Sequence, residues 1–284
     1  MNANSLHKTP VINDWLNDAA ALLFKAGISS AKLDAEIILA HTLRKNRTFL
    51  HAHNDERLTE RQLEIADARI LLRLDRTPVA YIVGHKEFYG RIFRVTPATL
   101  IPRPESETII TLLKESLPAN ISLLHEFPKK LIDVGTGSGC LGITAKLEIP
   151  ELDVTLIDIS HHALKVAERN AKDLGAEVTI SQGSLLLEYP FDIDIILANL
   201  PYVDPEWERS PETDHEPDLA LFASDNGLYL INKLIEQSAT HLTSDGIMIL
   251  EADPRQHQAI IRTAKNHRFA VREIRDFIIC LEKI

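Results

Sequence analysis

Apolar positions recur along this chain with two different periods. From about residue 11 to 75 they follow helical spacing, and glycine is almost absent. Trp15, Ala19, Leu22 and Leu23 make one stripe, Ile37, Ile38, Leu39 and Leu43 a second, and Leu63, Ile65, Ile70, Leu71 and Leu74 a third. Asp34 with Glu36 near the start of the second stretch, and Thr59 three residues before Gln62, read as N-terminal helix signals. This pattern predicts a small helical bundle. From Thr77 to Arg103 aromatic and β-branched residues gather around Gly84 and Gly90, which predicts a short hairpin, with Ile101-Pro102-Arg103-Pro104 as a stiff exit.

Beyond residue 103 the period alternates between strand and helix. Strands are expected over 131–134, 154–157, 178–181, 191–198, 247–251 and 275–281, and helices over 106–117, 139–147, 163–174, 228–242 and 256–267. Such alternation builds a mostly parallel sheet with helices on both faces. The expected organisation is a helical bundle over 1–75, a hairpin connector over 76–103 and an α/β domain over 104–284.

Composition narrows the partners. With 31 basic and 41 acidic residues the net charge is −10, which argues against a surface made mainly for nucleic-acid phosphates. Two cysteines, Cys140 and Cys280, are too few for a disulfide framework or a structural zinc site and suit a reducing compartment. No stretch approaches about 18 apolar residues, and no basic segment precedes an apolar signal region, so a cytoplasmic protein without a membrane span is expected. His41, His51 and His53 lack a further ligand at metal-binding spacing, and are expected to be solvated or capping; no metal is expected.

The candidate chemistry sits at the ends of two apolar runs. Ile193 to Ala198 ends in Asn199-Leu200-Pro201-Tyr202. An asparagine oxygen and the next backbone carbonyl can together accept both hydrogens of one planar NH2 group, with the proline fixing the turn and the tyrosine ring covering the plane. The competing reading is an ordinary turn at a strand end. Asp133-Val134-Gly135-Thr136-Gly137-Ser138-Gly139 follows the first strand, where glycines let a ligand approach the backbone. Gly137 to Gly142 satisfies G-x-G-x-x-G, so a dinucleotide oxidoreductase has to be weighed. Asp158, followed by Ile159, stands where an acid grips ribose hydroxyls, or else caps the next helix. Asp133 suits an ammonium group and would repel a pyrophosphate, and the Asn-x-Pro-Tyr stretch has no counterpart in hydride transfer.

With these segments the chain resembles the Rossmann-like methyltransferases that use S-adenosylmethionine, and more specifically the release-factor glutamine methyltransferases of the HemK/PrmC type. Leu33 to Glu36 with Leu39 to His41 resembles that family's helical domain, Pro78 to Gly84 with Glu87 to Gly90 its connector, and Leu100 to Glu105 with Glu107 the start of its catalytic domain. Asp133 to Gly139 resembles the cofactor loop, Asp158 to Ser160 the ribose-binding strand end, and His215 to Pro217 with Leu219 to Leu221 the loop after the motif. The implied fold is a seven-stranded Rossmann-like domain preceded by a helical bundle and a β-hairpin.

The resemblance also implies a reaction, methyl transfer to the side-chain amide nitrogen of the glutamine in the Gly-Gly-Gln tip of peptide chain release factors. Asn199 and the Leu200 carbonyl would grip the amide, Tyr202 and Phe88 would pack the glutamine stem, and Arg103 would face the substrate. The cofactor set would be Asp133, Gly135, Thr136, Gly137, Ser138, Gly139, Asp158, Ile159, Ser184, Leu185 and Asn199. The helical domain would contact the release factor away from its tip, or would serve only as a stabilising appendage. Two residues depart from the family pattern: Leu200 replaces a proline, and Ser184 replaces an aspartate near the adenine. The alternatives are an adenine-N6 nucleic-acid methyltransferase, which would call for a basic groove, and a catalytically silent module that binds release factors.

Overall fold

The computed structural model describes residues 9–117, 128–187 and 189–284. The chain divides into two compact units, Met1–Gly84 and His85–Ile284, so the hairpin groups with the larger one.

The first unit consists of helices Ile12–Lys25, Ala31–Leu43, Arg47–Ala52, Glu60–Leu74 and Val79–Val83. Trp15, Leu23, Ile38, Leu39 and Ile70 meet in its core, whereas Leu22 and Leu71, from the same sequence stripes, are exposed. Thr59 and Gln62 form the expected capping box, a feature that typically contributes about 1 kcal/mol. Asp34 and Glu36 do something other than cap. Both are buried, Asp34 against Arg73 at 2.7 Å and Glu36 against Arg47, so they tie the second helix to the fourth and third.

The second unit opens with a hairpin, β1 (His85–Phe88) and β2 (Arg91–Arg94), closed by Tyr89 and Gly90 at φ 51° and 73°. Two successive left-handed residues match the twist of the flanking strands. Phe88 and Phe93 point inward, edge to face at 6.1 Å, and join the core. Asn170 fastens β2 to the body: its Oδ1 accepts from Arg94 N at 2.8 Å, and its Nδ2 donates to the carbonyls of Arg94 and Ser138.

The sheet contains β3 (Lys130–Val134), β4 (Asp153–Asp158), β5 (Thr179–Gln182), β6 (Ile193–Ala198), β7 (Leu242–Glu251), β8 (Phe269–Arg275) and β9 (Ile278–Lys283), in the order β5-β4-β3-β6-β7-β9-β8. The first five are parallel, and β9 runs antiparallel to both β7 and β8. Helices Glu107–Ser116, Cys140–Glu148 and His161–Leu174 contribute to one core cluster, and Tyr229–His241 and His257–Asn266 to the other. One strand expected over 275–281 is in fact a hairpin. β8 is an edge strand in which only Phe269 is buried and Arg272, Glu273 and Arg275 interrupt the apolar positions, and Asp276 at φ 51° makes the turn. No helix among the described residues is long and apolar enough to cross a membrane.

Candidate active site

After β3 the chain moves outward through β4 and β5, then returns to β6 on the other side of β3. This reversal opens a crevice at the carboxyl ends of β3 and β6, the place where open α/β sheets bind ligands. Val134 pairs with Ala198, and Ala198 with Leu250. The glycine loop, the Asn199–Tyr202 stretch and Glu251 therefore leave three neighbouring strands side by side.

A cavity of about 290 Å³ lies there. Gly135, Gly137, Asp158, Ile159, Ser184 and Leu185 line it together with Asn199, Leu200 and Pro201. Gly137, at φ 55°, is open on this side: a Cβ built on it would meet nothing within 4 Å. Gly135, at φ 71°, backs onto the motif, since a Cβ there would lie 2.8 Å from Leu200 Cδ2. Leu185 holds φ 55°, an uncommon conformation for a leucine, as it lines the wall. Asp158 Oδ2 accepts from Gly137 N at 2.9 Å and Oδ1 from Ser160 N at 2.8 Å, while Ser160 caps the following helix. Burial raises the Asp158 pKa against the pull of these backbone donors.

Other residues assigned to the cofactor lie beneath the loop rather than in the wall. Asp133 is 1% exposed; its Oδ2 accepts from Thr136 Oγ1 at 2.5 Å and Gly142 N at 2.9 Å, so the carboxylate holds the loop and the next helix. Burial pushes its pKa up to about 6, and Oδ1 has no partner among the described residues. Thr136 and Ser138 are buried. Gly139 serves packing, because a Cβ there would sit 2.6 Å from Ile143 Cδ1.

The motif is held by residues far away in sequence. Asn199 Nδ2 donates to Ser106 Oγ at 3.0 Å, Ser106 Oγ donates to Glu251 Oε2 at 2.5 Å, and the Tyr202 hydroxyl donates to Glu251 Oε1 at 2.9 Å. Gln256 Nε2 donates to the carbonyls of Tyr202 and Asn226, each at 2.8 Å. Gly227 lies so close that a Cβ would fall 1.9 Å from the Tyr202 oxygen. Burial raises the Tyr202 pKa, and the Glu251 charge adds to the shift. Among the described residues no donor reaches Asn199 Oδ1 or the Leu200 carbonyl, and both residues line the cavity.

Two expectations for the substrate side change. Phe88 is 1% exposed inside the core, so its ring is not available to a substrate stem; alternation in β1 turns it inward. Arg103 is a third exposed but bound to Glu216, a buried carboxylate that also accepts from Ile101 N at 3.1 Å. Thr99, Leu100, Pro217 and Leu219 also line the cavity; the last three fall in the family-like segments of the sequence, but none of the four was expected to have a site role. Glu251 could have been: an apolar run, Ile247 to Leu250, ends in it much as Ile193 to Ala198 ends in Asn199.

The family model for the PrmC N-terminal domain matches residues 14–84, and that for the methyltransferase small domain residues 111–213. A release factor glutamine methyltransferase from Koribacter versatilis is 37% identical over 239 residues, covering 81% of this chain and 83% of the relative. The chain belongs to the release factor glutamine methyltransferase family. Its relative of that name in Escherichia coli K12 is 34% identical, with 87% of each chain covered. Members share their fold with more distant enzymes. A methyltransferase from Pyrococcus furiosus is 16% identical with a TM-score of 0.52, covering 76% of this chain and 97% of that one. The Thermus thermophilus 16S rRNA N2 G1207 methyltransferase is 14% identical with a TM-score of 0.51, covering 70% and 50%.

Proposed function

We propose that this protein methylates the side-chain amide nitrogen of the glutamine in the Gly-Gly-Gln motif of peptide chain release factors, in the cytoplasm, with S-adenosylmethionine as methyl donor. The observation that carries this reading is a pair of acceptors that no donor reaches among the described residues, Asn199 Oδ1 and the Leu200 carbonyl, on two residues that line one cavity with Gly135 and Gly137 of the glycine loop.

The residues present fit the donor. Gly137 offers bare backbone, Asp158 a carboxylate for ribose hydroxyls, and Ile159 and Leu185 apolar flanks for a flat base. When bound, S-adenosylmethionine supplies an electrophilic sulfonium methyl group. Asp133 would act indirectly, by shaping the loop.

An amide nitrogen is a poor nucleophile because its lone pair is shared with the carbonyl. Two fixed acceptors on its hydrogens hold the nitrogen in one orientation and favour the positive charge that builds on it. Such preorganisation of acceptors costs no rearrangement at the moment of transfer. Tyr202, held at its hydroxyl by Glu251 and at its carbonyl by Gln256, would pack the glutamine stem.

The same acceptors would suit the exocyclic amine of adenine. The net charge of −10 and the family relationship favour the protein substrate. A methylation assay offering a release factor and DNA or RNA side by side separates the two: label is expected on the release factor alone, and label on nucleic acid alone would reject the proposal.

A further inference from the structure

Glu251 is 2% exposed at the carboxyl end of β7, and none of its hydrogen bonds comes from a cation among the described residues. Burying a carboxylate without an ion pair is costly, and burial accordingly raises its pKa. Its oxygens accept from Ser106 and Tyr202, Asn199 adds a weaker direct interaction, and Ser106 also carries the bond from Asn199.

The direction of these bonds has a chemical consequence. A serine hydroxyl has one proton; once Ser106 gives it to Glu251, only lone pairs remain for Asn199. Asn199 must then turn its NH2 toward Ser106, at 3.0 Å, and its oxygen the other way. A carboxamide has two orientations of nearly equal shape, and the reversed one would set an NH2 group against an incoming NH2. We propose that Glu251 is a positioning residue that acts through Ser106 to select the Asn199 orientation with Oδ1 toward the cavity, while holding Tyr202 by its hydroxyl. This rests on the reading above that Asn199 Oδ1 receives a substrate N–H.

The test combines kinetics with a substrate-free readout on the full chain. Ser106→Ala is expected to lower kcat for release-factor methylation about tenfold, as for one lost oriented hydrogen bond, with KM for S-adenosylmethionine within about twofold. Ser106→Thr keeps the hydroxyl and is expected to stay within about threefold of the parent kcat. In Glu251→Gln one arm becomes a donor, so Ser106 is no longer compelled to donate. If Glu251 works through Ser106, adding Ser106→Ala to Glu251→Gln costs less than it does alone. Equal impairment by the alanine and threonine variants, or losses that multiply in the double variant, would overturn the proposal.

In protein labelled with ¹⁵N at asparagine side chains, the NH2 of Asn199, identified by its absence in Asn199→Ala, is expected to be protected from hydrogen exchange and to lose protection in Ser106→Ala. This measurement needs no release factor. A protected pair in a protein that methylates nothing would reject the methyl-transfer reading and keep the positioning role, whereas an unprotected pair would reject the positioning role whatever the activity.

Discussion

Replacing Asn199 with alanine removes one of the two proposed acceptors and leaves the Leu200 carbonyl in place. The substrate amide would then keep one fixed hydrogen bond, and its other hydrogen would face an apolar methyl. Loss of a single preorganised polar contact of this kind costs about 3–4 kcal/mol at the transition state, which corresponds to a fall in kcat of about 10²–10³. The scaffold should tolerate the change. Asn199 is half-buried, and the change removes only its bond to the buried Ser106 and a weaker interaction with Glu251. The assay is steady-state transfer of a labelled methyl group to a purified release factor, with cofactor affinity measured in parallel by calorimetry. A fall in kcat of that size with cofactor affinity within about threefold is expected. Turnover within about threefold of the parent would refute the assignment of Asn199, because the amide would then be held well enough without its oxygen.

Three further outcomes follow from the same geometry. Gly227→Ala places a Cβ 1.9 Å from the Tyr202 oxygen at a residue with φ 79°; thermal unfolding should show at least about 2 kcal/mol of lost stability, with kcat reduced as Tyr202 shifts. Leu200→Pro keeps the carbonyl but loses side-chain packing in the core and on Gly135, so about 1–2 kcal/mol of stability and less than about a fivefold change in kcat are expected, and a 10²-fold loss would show that the leucine side chain itself matters. Asp133, whose folded pKa is raised to about 6, takes up its proton in the folded state before the unfolded one as pH falls, so its contribution to stability grows from about pH 6 down to about pH 4. Asp133→Asn should flatten that slope in melts across the same range, and an unchanged slope would contradict the assignment.

The contiguous parts of the site were readable because each is a local signature. Gly135 and Gly137 hold positive φ in a glycine-rich loop, Asp158 ends an apolar strand, and Asn199 stands two residues before a proline; all of them line one cavity. What escaped depends on long-range packing. Ser106 and Glu251 lie 145 positions apart and meet only because the segment before helix Glu107–Ser116 packs at the end of β7. A buried serine carries no periodic signal of its own. Phe88 illustrates the opposite failure: an aromatic residue beside a glycine turn reads equally well as ligand contact or hairpin packing, and strand alternation decides for packing. Asp133 shows how an acidic residue beside a glycine loop can serve the loop from beneath, since its Oδ2 is taken by Thr136 and Gly142. In the sheet, strands such as β3 and β6 announced themselves by largely apolar runs, whereas charged residues break the run in β8.

The most direct test of the central claim is peptide mass spectrometry of a release factor after incubation with this protein and S-adenosylmethionine. A single added methyl group on the side-chain amide of the Gly-Gly-Gln glutamine, absent when Asn199→Ala is used under the same conditions, is the expected result. An unmodified glutamine after full incubation with the parent protein, or a methyl group found on another residue, would contradict it.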